Sequence, residues 1–169
     1  NLSWGPQTGP HDGSSVLERA IDELVNEQFD EGRCLIVALP AGNSYGSRAH
    51  AQVRYAEGGK LNWVVPPDGH TPAFFEVWWP SGVSPSQAFL RLTPPSGTSV
   101  QIDPNKPWTE LKWYAKLKTV GSSTMALVVV HPTEYKDPQR RGQHGVWTIE
   151  FAPGAPSIAG LIHVYAARA

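Results

Sequence analysis

Short apolar segments separated by proline and glycine dominate the chain after residue 47, and this pattern constrains the fold more than any other feature. The breakers include Pro66-Pro67-Asp68-Gly69 and Pro94-Pro95-Ser96-Gly97. Eight candidate strands lie between such breakers, at residues 49–56, 60–65, 73–79, 89–93, 110–118, 124–131, 145–151 and 161–167. Short strands with frequent turn signals are typical of antiparallel sandwiches. The pattern therefore predicts a mainly β fold, an antiparallel, jelly-roll-like β-sandwich of about eight strands.

The tryptophans fit this prediction. Trp78 and Trp79 are adjacent, so in a strand their side chains point to opposite faces. We expect one to enter the core and the other to face outward or lie under a loop. Trp63, Trp113 and Trp147 each sit inside a candidate strand and are expected to fill the core. The alternative is an exposed aromatic platform that stacks on sugar rings.

A different pattern precedes residue 47. Ser15 and Glu18 have the spacing of a capping box at a helix start, and Gly32 is a plausible stop. Between them, Leu17, Ala20, Ile21 and Leu24 recur at helical spacing on one face, which Gln28 continues. Residues 34–39 form an apolar run of the kind that is buried in a parallel sheet. A short α/β fragment (strand end, helix, strand) is therefore predicted before the sandwich.

Composition limits the class of partner. Hydrophobic residues make up 40% of the 169 residues and charged residues 17%, which is typical of a folded protein. The net charge of −1 gives no basic excess, so nucleic acid is not an expected partner. No apolar run approaches the roughly 20 residues that span a bilayer. Cys34 is the single cysteine, which excludes an internal disulfide, and we expect it to be buried.

Asn43 follows the apolar run in the sequence Ala41-Gly42-Asn43. A side-chain amide at the carboxyl end of a parallel strand can donate a hydrogen bond into the crevice beyond the sheet, where ligands bind. One such donor can stabilise an oxyanion during acyl transfer. An asparagine after glycine is also a common turn residue, so the spacing alone leaves both interpretations open.

Residues 1–46 resemble the middle of a subtilisin-like serine protease, or subtilase. The segment "NLSWGPQTGP" is similar to the strand end that lines the substrate cleft in that family. The segment "SSVLERAIDELVNEQFDEGRCLIVALPAGN" is similar to the following helix and the strand that ends in Ala-Ala-Gly-Asn. The two motifs occur in the family's order, and the resemblance covers about a quarter of the chain.

The resemblance implies a role for each matching residue. Asn43 would be the oxyanion-hole amide. Backbone groups of Ser3, Trp4 and Gly5 would bind an extended polypeptide substrate, and the wall of the specificity pocket would include Pro40, Ala41 and Gly42. Pro40 departs from the family's usual alanine and removes a backbone donor. Trp4 replaces a smaller residue and could narrow the cleft.

The Ser/His/Asp triad does not appear in this chain. Gly97-Thr98-Ser99 matches the nucleophile motif for three residues only and is interpreted as a turn, and Ser123 leads into a strand. Transfer of a proton from serine to histidine needs all three groups, so the isolated chain is expected to be inactive. The resemblance implies a catalytic-domain fragment at residues 1–46 and an inserted β-sandwich at residues 47–169. It further implies a parent endopeptidase that is secreted or periplasmic.

A non-catalytic carbohydrate- or protein-binding module is the alternative function. It suits the sandwich but does not explain the helix or Asn43. No cofactor is expected, because the six histidines include no pair at helical ligand spacing and there is no cysteine/histidine cluster. Calcium at Asp68, Asp103 and Asp137 is an alternative to the expected solvated turns. Arg140 lies in an apparent solvated loop. The sequence gives no indication of oligomeric state.

Overall fold

The computed structural model describes residues 8–40, 45–80, 90–102, 108–109, 112–120, 123–152 and 160–168. One helix, α1 (Val16–Asp30), precedes a single 3₁₀ turn (Tyr45–Ser47). Ten strands follow: β1 (His50–Arg54), β2 (Gly59–Val65), β3 (Ala73–Pro80), β4 (Leu90–Thr93), β5 (Val100–Ile102), β6 (Trp108–Thr109), β7 (Trp113–Val120), β8 (Ser123–Val130), β9 (Gly145–Phe151) and β10 (Leu161–Arg168).

The strands form two antiparallel sheets, which confirms the predicted mainly β sandwich. One sheet has six strands in the order β1-β10-β3-β8-β7-β6, and the other has four in the order β2-β9-β4-β5. The pairing is nested, because β1 pairs with β10, β2 with β9, β3 with β8 and β4 with β5. Such nesting is what rolling one long hairpin into two layers produces, and it is the arrangement of a jelly roll.

The core lies between the two sheets. Trp113 and Trp147 have no exposed surface, and their ring centroids are 5.6 Å apart in an edge-to-face contact. Trp63 packs against this cluster from β2. Trp79 joins the core and Trp78 lies on the opposite face of β3, as strand alternation requires. The predicted core roles of these tryptophans are confirmed.

All eight predicted strands occur, and two short strands were missed. The missed strands are β5 (Val100–Ile102) and β6 (Trp108–Thr109), which have three and two residues. Segments this short carry too few residues for a pattern of alternation to stand out. The exact strand bounds differ from the predicted ones by one to three residues in most cases.

Helix α1 begins where the capping box predicts. The Ser15 hydroxyl accepts a hydrogen bond from the Glu18 amide at 3.2 Å, and the Glu18 carboxylate accepts one from the Ser15 amide at 3.0 Å. Gly32, just after the helix, has φ of +73°, a left-handed conformation that suits glycine. The predicted helix is therefore confirmed. None of its residues is buried, so its apolar face does not pack into the sandwich.

The predicted strand at residues 34–39 is wrong for the described chain. Residues 33–40 are irregular and join neither sheet. The side chains of Ile36 and Leu39 are 84% and 58% exposed, and Cys34 is exposed rather than buried. A strand is stable when neighbours pair its backbone groups, and the two sheets of the sandwich provide no such neighbour here. The apolar composition is present, but the surface that would cover it is not supplied by the sandwich.

Candidate functional site

Most residues of the predicted subtilase site lie outside the described residues. These are Ser3, Trp4, Gly5, Ala41, Gly42 and Asn43. Pro40 is described and is exposed at the end of the irregular segment. The oxyanion role of Asn43 and the substrate-binding roles of the other residues therefore stay predictions.

Neither serine of the two apparent nucleophile motifs lies at a helix start. Ser99 lies in the loop before β5, and its hydroxyl is 2.8 Å from the Thr93 hydroxyl. The turn that precedes it is closed by a 2.9 Å hydrogen bond from the Gly97 amide to the Pro94 carbonyl. Ser123 begins β8, and its hydroxyl donates to the Asp12 carboxylate at 2.8 Å. Both serines have the local structure predicted for them.

The structure brings together a set of aromatic and titratable side chains that the sequence pattern did not reveal. His50 lies on β1, and His163 and Tyr165 lie on β10 two residues apart. His50 is directly opposite Tyr165 in the antiparallel ladder, which places all three side chains on the outer face of the six-stranded sheet. His11 comes from the segment before α1 and completes the group. We call these four residues the histidine cluster.

The rings of the histidine cluster stack closely. His50 Nε2 is 3.2 Å from His163 Nδ1, a hydrogen-bond distance, and the two ring planes differ by 4°. The His50 and Tyr165 centroids are 4.4 Å apart at 8°. The His11 ring lies 4.7 Å from Tyr165, tilted by 42°. One imidazole of the His50–His163 pair must donate and the other accept, so at least one of them is neutral while this bond exists.

The environment of the cluster disfavours positive charge. Burial lowers the pKa of His50, and the neighbouring His163 and His11 lower it further. Burial also lowers the pKa of His163, again with a contribution from His11. Burial raises the pKa of the Tyr165 hydroxyl. All three shifts favour the neutral form of the group, as expected for titratable side chains that share a partly desolvated site.

A segment before the helix crosses the same sheet face beside the cluster. We call residues 8–12 the strap. The Gly9 amide donates to Glu76 Oε2 at 2.9 Å, and the Trp78 indole donates to the same oxygen at 2.8 Å. Trp78 is only 5% exposed although it lies on the outer face. Glu76 on β3 therefore accepts one hydrogen bond from the strap and one from its own strand. The bond from Gly9 connects the strap to β3.

The histidine cluster was missed because its members are distant in the chain. His11, His50 and His163 are separated by up to 152 positions, and only the pairing of the first strand with the last brings two of them together. Strand parity could have shown that His163 and Tyr165 share a face. No local signal could have placed His50 opposite Tyr165, because that register depends on the nested topology.

The described residues show no metal centre. They contain no group of three or more histidine, cysteine, aspartate or glutamate side chains that could hold a metal ion. Asp68 is an exposed turn residue, and Asp137 accepts a hydrogen bond from the Gln139 amide at 2.9 Å. Asp103 lies outside the described residues. Asp68 and Asp137 therefore lie in solvated turns, as expected from the sequence.

An open groove of about 470 Å³ lies in the loop after β8. Four of the side chains that line it form two pairs: His70 Nε2 is 3.5 Å from Glu134 Oε2, and Arg140 Nε is 3.9 Å from Asp137 Oδ2. All four side chains are about half exposed or more. The groove therefore presents solvated ion pairs rather than a desolvated group aimed at a ligand.

Comparison with known proteins found no matching family model, no curated relative and no similar solved structure. Within the described ranges, no helix has both the length and the apolar character needed to cross a bilayer.

Proposed function

We propose that this chain is part of a subtilisin-like serine endopeptidase, in which residues 1–46 belong to the catalytic domain and residues 47–169 form an inserted β-sandwich. In the parent enzyme a serine attacks the peptide carbonyl and a histidine transfers the proton. Asn43 donates its side-chain amide to the oxyanion that forms. The sandwich carries no catalytic group in this proposal.

The resemblance in residues 1–46 carries the proposal, and the position of the first and last strands supports it. The Ala166 amide donates to the Ala49 carbonyl at 2.7 Å, and His50 lies opposite Tyr165. The chain therefore enters and leaves the sandwich at one place. A domain whose two ends are adjacent can be inserted into a surface loop with little disturbance of the host. Nested pairing permits an insertion, and the resemblance in residues 1–46 is what indicates one.

The exposed apolar side chains before the sandwich also support the proposal. Val16 and Phe29 are 87% and 75% exposed, and Ile36 is 84% exposed. A helix gains most of its stability from packing an apolar face rather than from intrinsic propensity. In a subtilase, this helix and the segment after it would pack on a parallel sheet. The strands of that sheet would come from the rest of the parent protein.

The alternative binding module loses its main support. Trp78, Trp79, Trp113 and Trp147 are all buried, and Trp63 is packed against the core. These five side chains therefore form no exposed platform for sugar rings. A protein-binding role for the sandwich needs a different surface.

The test is made on the full-length gene product with a fluorogenic peptide and a serine-directed phosphonate probe. We expect peptide hydrolysis and covalent labelling of a serine outside this chain. Asn43→Ala should lower kcat about 10²–10³-fold with little change in KM, because the amide acts on the transition state. The isolated chain should hydrolyse nothing.

Asn62→Ala is the matched control. Asn62 lies on the outer face of β2, where its side-chain carbonyl accepts a hydrogen bond from the Thr148 hydroxyl at 3.4 Å. This variant should keep wild-type turnover. A full-length protein that is neither active nor labelled, or an Asn43→Ala variant with unchanged kcat, would show that the proposal is wrong.

A further inference from the structure

The strap is held on the sandwich by contacts at both of its ends. Gly9 binds Glu76 on β3 through a 2.9 Å hydrogen bond, and Asp12 binds Ser123 on β8 through a 2.8 Å hydrogen bond. Between them His11 contacts Tyr165 on β10. These partners come from three neighbouring strands of the six-stranded sheet. The strap therefore fixes the chain just before α1 to one face of the sandwich.

His11 adopts a backbone conformation that a side chain seldom occupies. Its φ is +50°, in the left-handed region. Histidine tolerates this region better than most residues, but the conformation still has a cost that its surroundings must offset. The ring contact with Tyr165 is the interaction that accompanies this conformation. The His11 ring is therefore the part of the strap that contacts the rest of the histidine cluster.

Protonation would change the interactions of these rings. When both His50 and His163 carry a proton, neither ring nitrogen of the pair can accept, so their 3.2 Å hydrogen bond is lost. A third positive charge on His11 would then face two others across the stacked rings. Like charges at this spacing repel, and His11 is the member of the cluster that lies outside the strands, in the strap.

The carboxylates near this face lie around the strap. Glu76 is directly opposite Tyr165 in the ladder, and the pKa of the Glu18 carboxyl is lowered by its hydrogen bond with Ser15 and, to a smaller extent, by the nearby His11. Glu76 Oε2 already accepts hydrogen bonds from the strap and from Trp78. Asp12 is bound to Ser123. Farther from the cluster, Leu127 on β8 lies opposite Glu76, and Lys116 on β7 lies opposite Leu127. Lys116 is therefore a cationic residue in the same cross-strand row as Glu76. On β1, Arg54 Nε is 3.8 Å from Glu57.

We propose that the histidine cluster and the strap form a pH-operated clasp, closed when the imidazoles are neutral and open when they are protonated. The clasp sets whether the strap is held on the six-stranded sheet or is released from it. It does not require the proposed protease function, because every group in it belongs to the described residues.

The direction of the pH dependence follows from the shifts. The pKa values of His50 and His163 are lowered by burial in the closed state, so the open state binds protons more readily. The closed state is fully favoured above the ordinary histidine pKa of about 6.5. Its advantage is lost as the pH falls from that value through the lowered pKa values.

Hydrogen exchange of the whole chain, followed by NMR, tests the clasp. The probes are the Gly9 amide and the Trp78 indole N–H, with rates divided by the intrinsic rate at each pH. We expect protection at pH 8 that falls by about an order of magnitude or more by pH 5.5. Core amides such as that of Val128 should keep their protection. In the His50→Gln, His163→Gln double variant, the strap should stay protected across this range, because glutamine forms hydrogen bonds but does not titrate here.

His70→Gln is the matched control, because His70 pairs with Glu134 on a distant loop. It should keep the wild-type pH dependence. Strap protection that is absent at pH 8, or unchanged down to pH 5.5, would overturn the proposal. So would a double variant that still loses protection on acidification. If the double variant shows no strap protection at any pH, the two single variants, His50→Gln and His163→Gln, decide. In each of them the strap protection should depend less on pH than in the wild type. Wild-type pH dependence in both single variants would contradict the clasp.

Discussion

The sandwich of residues 50–168 buries its large apolar side chains, whereas the helical region of residues 13–40 leaves its own exposed. Phe75, Leu92 and Ile162 in the sandwich have essentially no exposed surface. In the helical region, Leu24 is 48% and Phe29 is 75% exposed, and no residue of α1 is buried. Both regions contain enough apolar residues for a core, but only the sandwich folds back on itself to form one.

The difference shows that apolar content and burial are separate properties. The sandwich has two facing layers, so each inward side chain meets a partner from the other sheet. The helical region has one helix and an irregular segment, which cannot enclose a core between them. Its stability therefore depends on capping within the chain and, in our proposal, on a sheet from the parent protein. Substitutions in the two regions test this contrast.

Replacing a central tryptophan should have the largest effect. Trp147→Ala removes a fully buried ring in contact with Trp113 and the hydrogen bond from its indole to the Gln143 carbonyl. We expect it to lower the free energy of unfolding by about 3–5 kcal/mol. Urea denaturation monitored by fluorescence and circular dichroism measures the loss.

Leu24→Ala is the counterpart in the helical region. Leu24 is 48% exposed, so in this chain the change in free energy should be within about 0.5 kcal/mol. In the full-length protein the same variant should cost about 2–5 kcal/mol if the helix packs on a parent sheet. Equal and small losses in both settings would count against that packing.

Gly142→Ala should have the next largest effect. A Cβ atom at Gly142 would lie 2.0 Å from the His131 carbonyl oxygen, and the Gly142 amide donates to the Pro132 carbonyl at 3.0 Å. The backbone must move to accommodate the methyl group, at a cost of about 1–3 kcal/mol. Gly160→Ala, where no atom lies within 4 Å, should be neutral or slightly stabilising. Thermal unfolding of the two variants compares them, and equal melting temperatures would contradict the expectation.

Removing the helix cap should destabilise the helix and should leave the sandwich intact. Ser15→Ala removes the hydroxyl that accepts from Glu18, at a cost to the helix of about 1 kcal/mol. We expect lower ellipticity at 222 nm and no change in the unfolding midpoint of the sandwich. A shift in that midpoint would mean that the two regions are coupled more strongly than the absence of buried helix residues indicates.

The same cap has a defined pH dependence. Hydrogen bonding from Ser15 lowers the pKa of Glu18 in the helix. A lowered carboxylate pKa contributes stability above the ordinary value of about 4.3 that is lost as the pH falls through the lowered value. The helix content of the wild type should therefore drop at acid pH, and the drop should be smaller in the Ser15→Ala variant.

Much of the fold was predictable because its signals are local. Glu18 lies three residues after Ser15, and this spacing alone identified the start of α1. The breakers around residues 66–69 and 94–97 separated the strands before any pairing was known. The segment at residues 34–39 was wrongly predicted as a buried strand. An apolar run shows that the side chains are suited to burial, but it does not show that a neighbouring strand is present to pair with the segment. The predicted oxyanion residue, Asn43, lies outside the described residues, so its role rests on the resemblance.

By itself, the sequence determined the elements of this protein: where strands and helix begin, which faces are apolar, and that tryptophans would fill a core. These features depend on neighbours a few positions away, through capping, turn chemistry and strand alternation. Only the tertiary structure decided that the first strand pairs with the last, and that His11, His50 and His163 meet on one sheet face. Those contacts join residues more than a hundred positions apart, and only the global pairing of strands fixes their register.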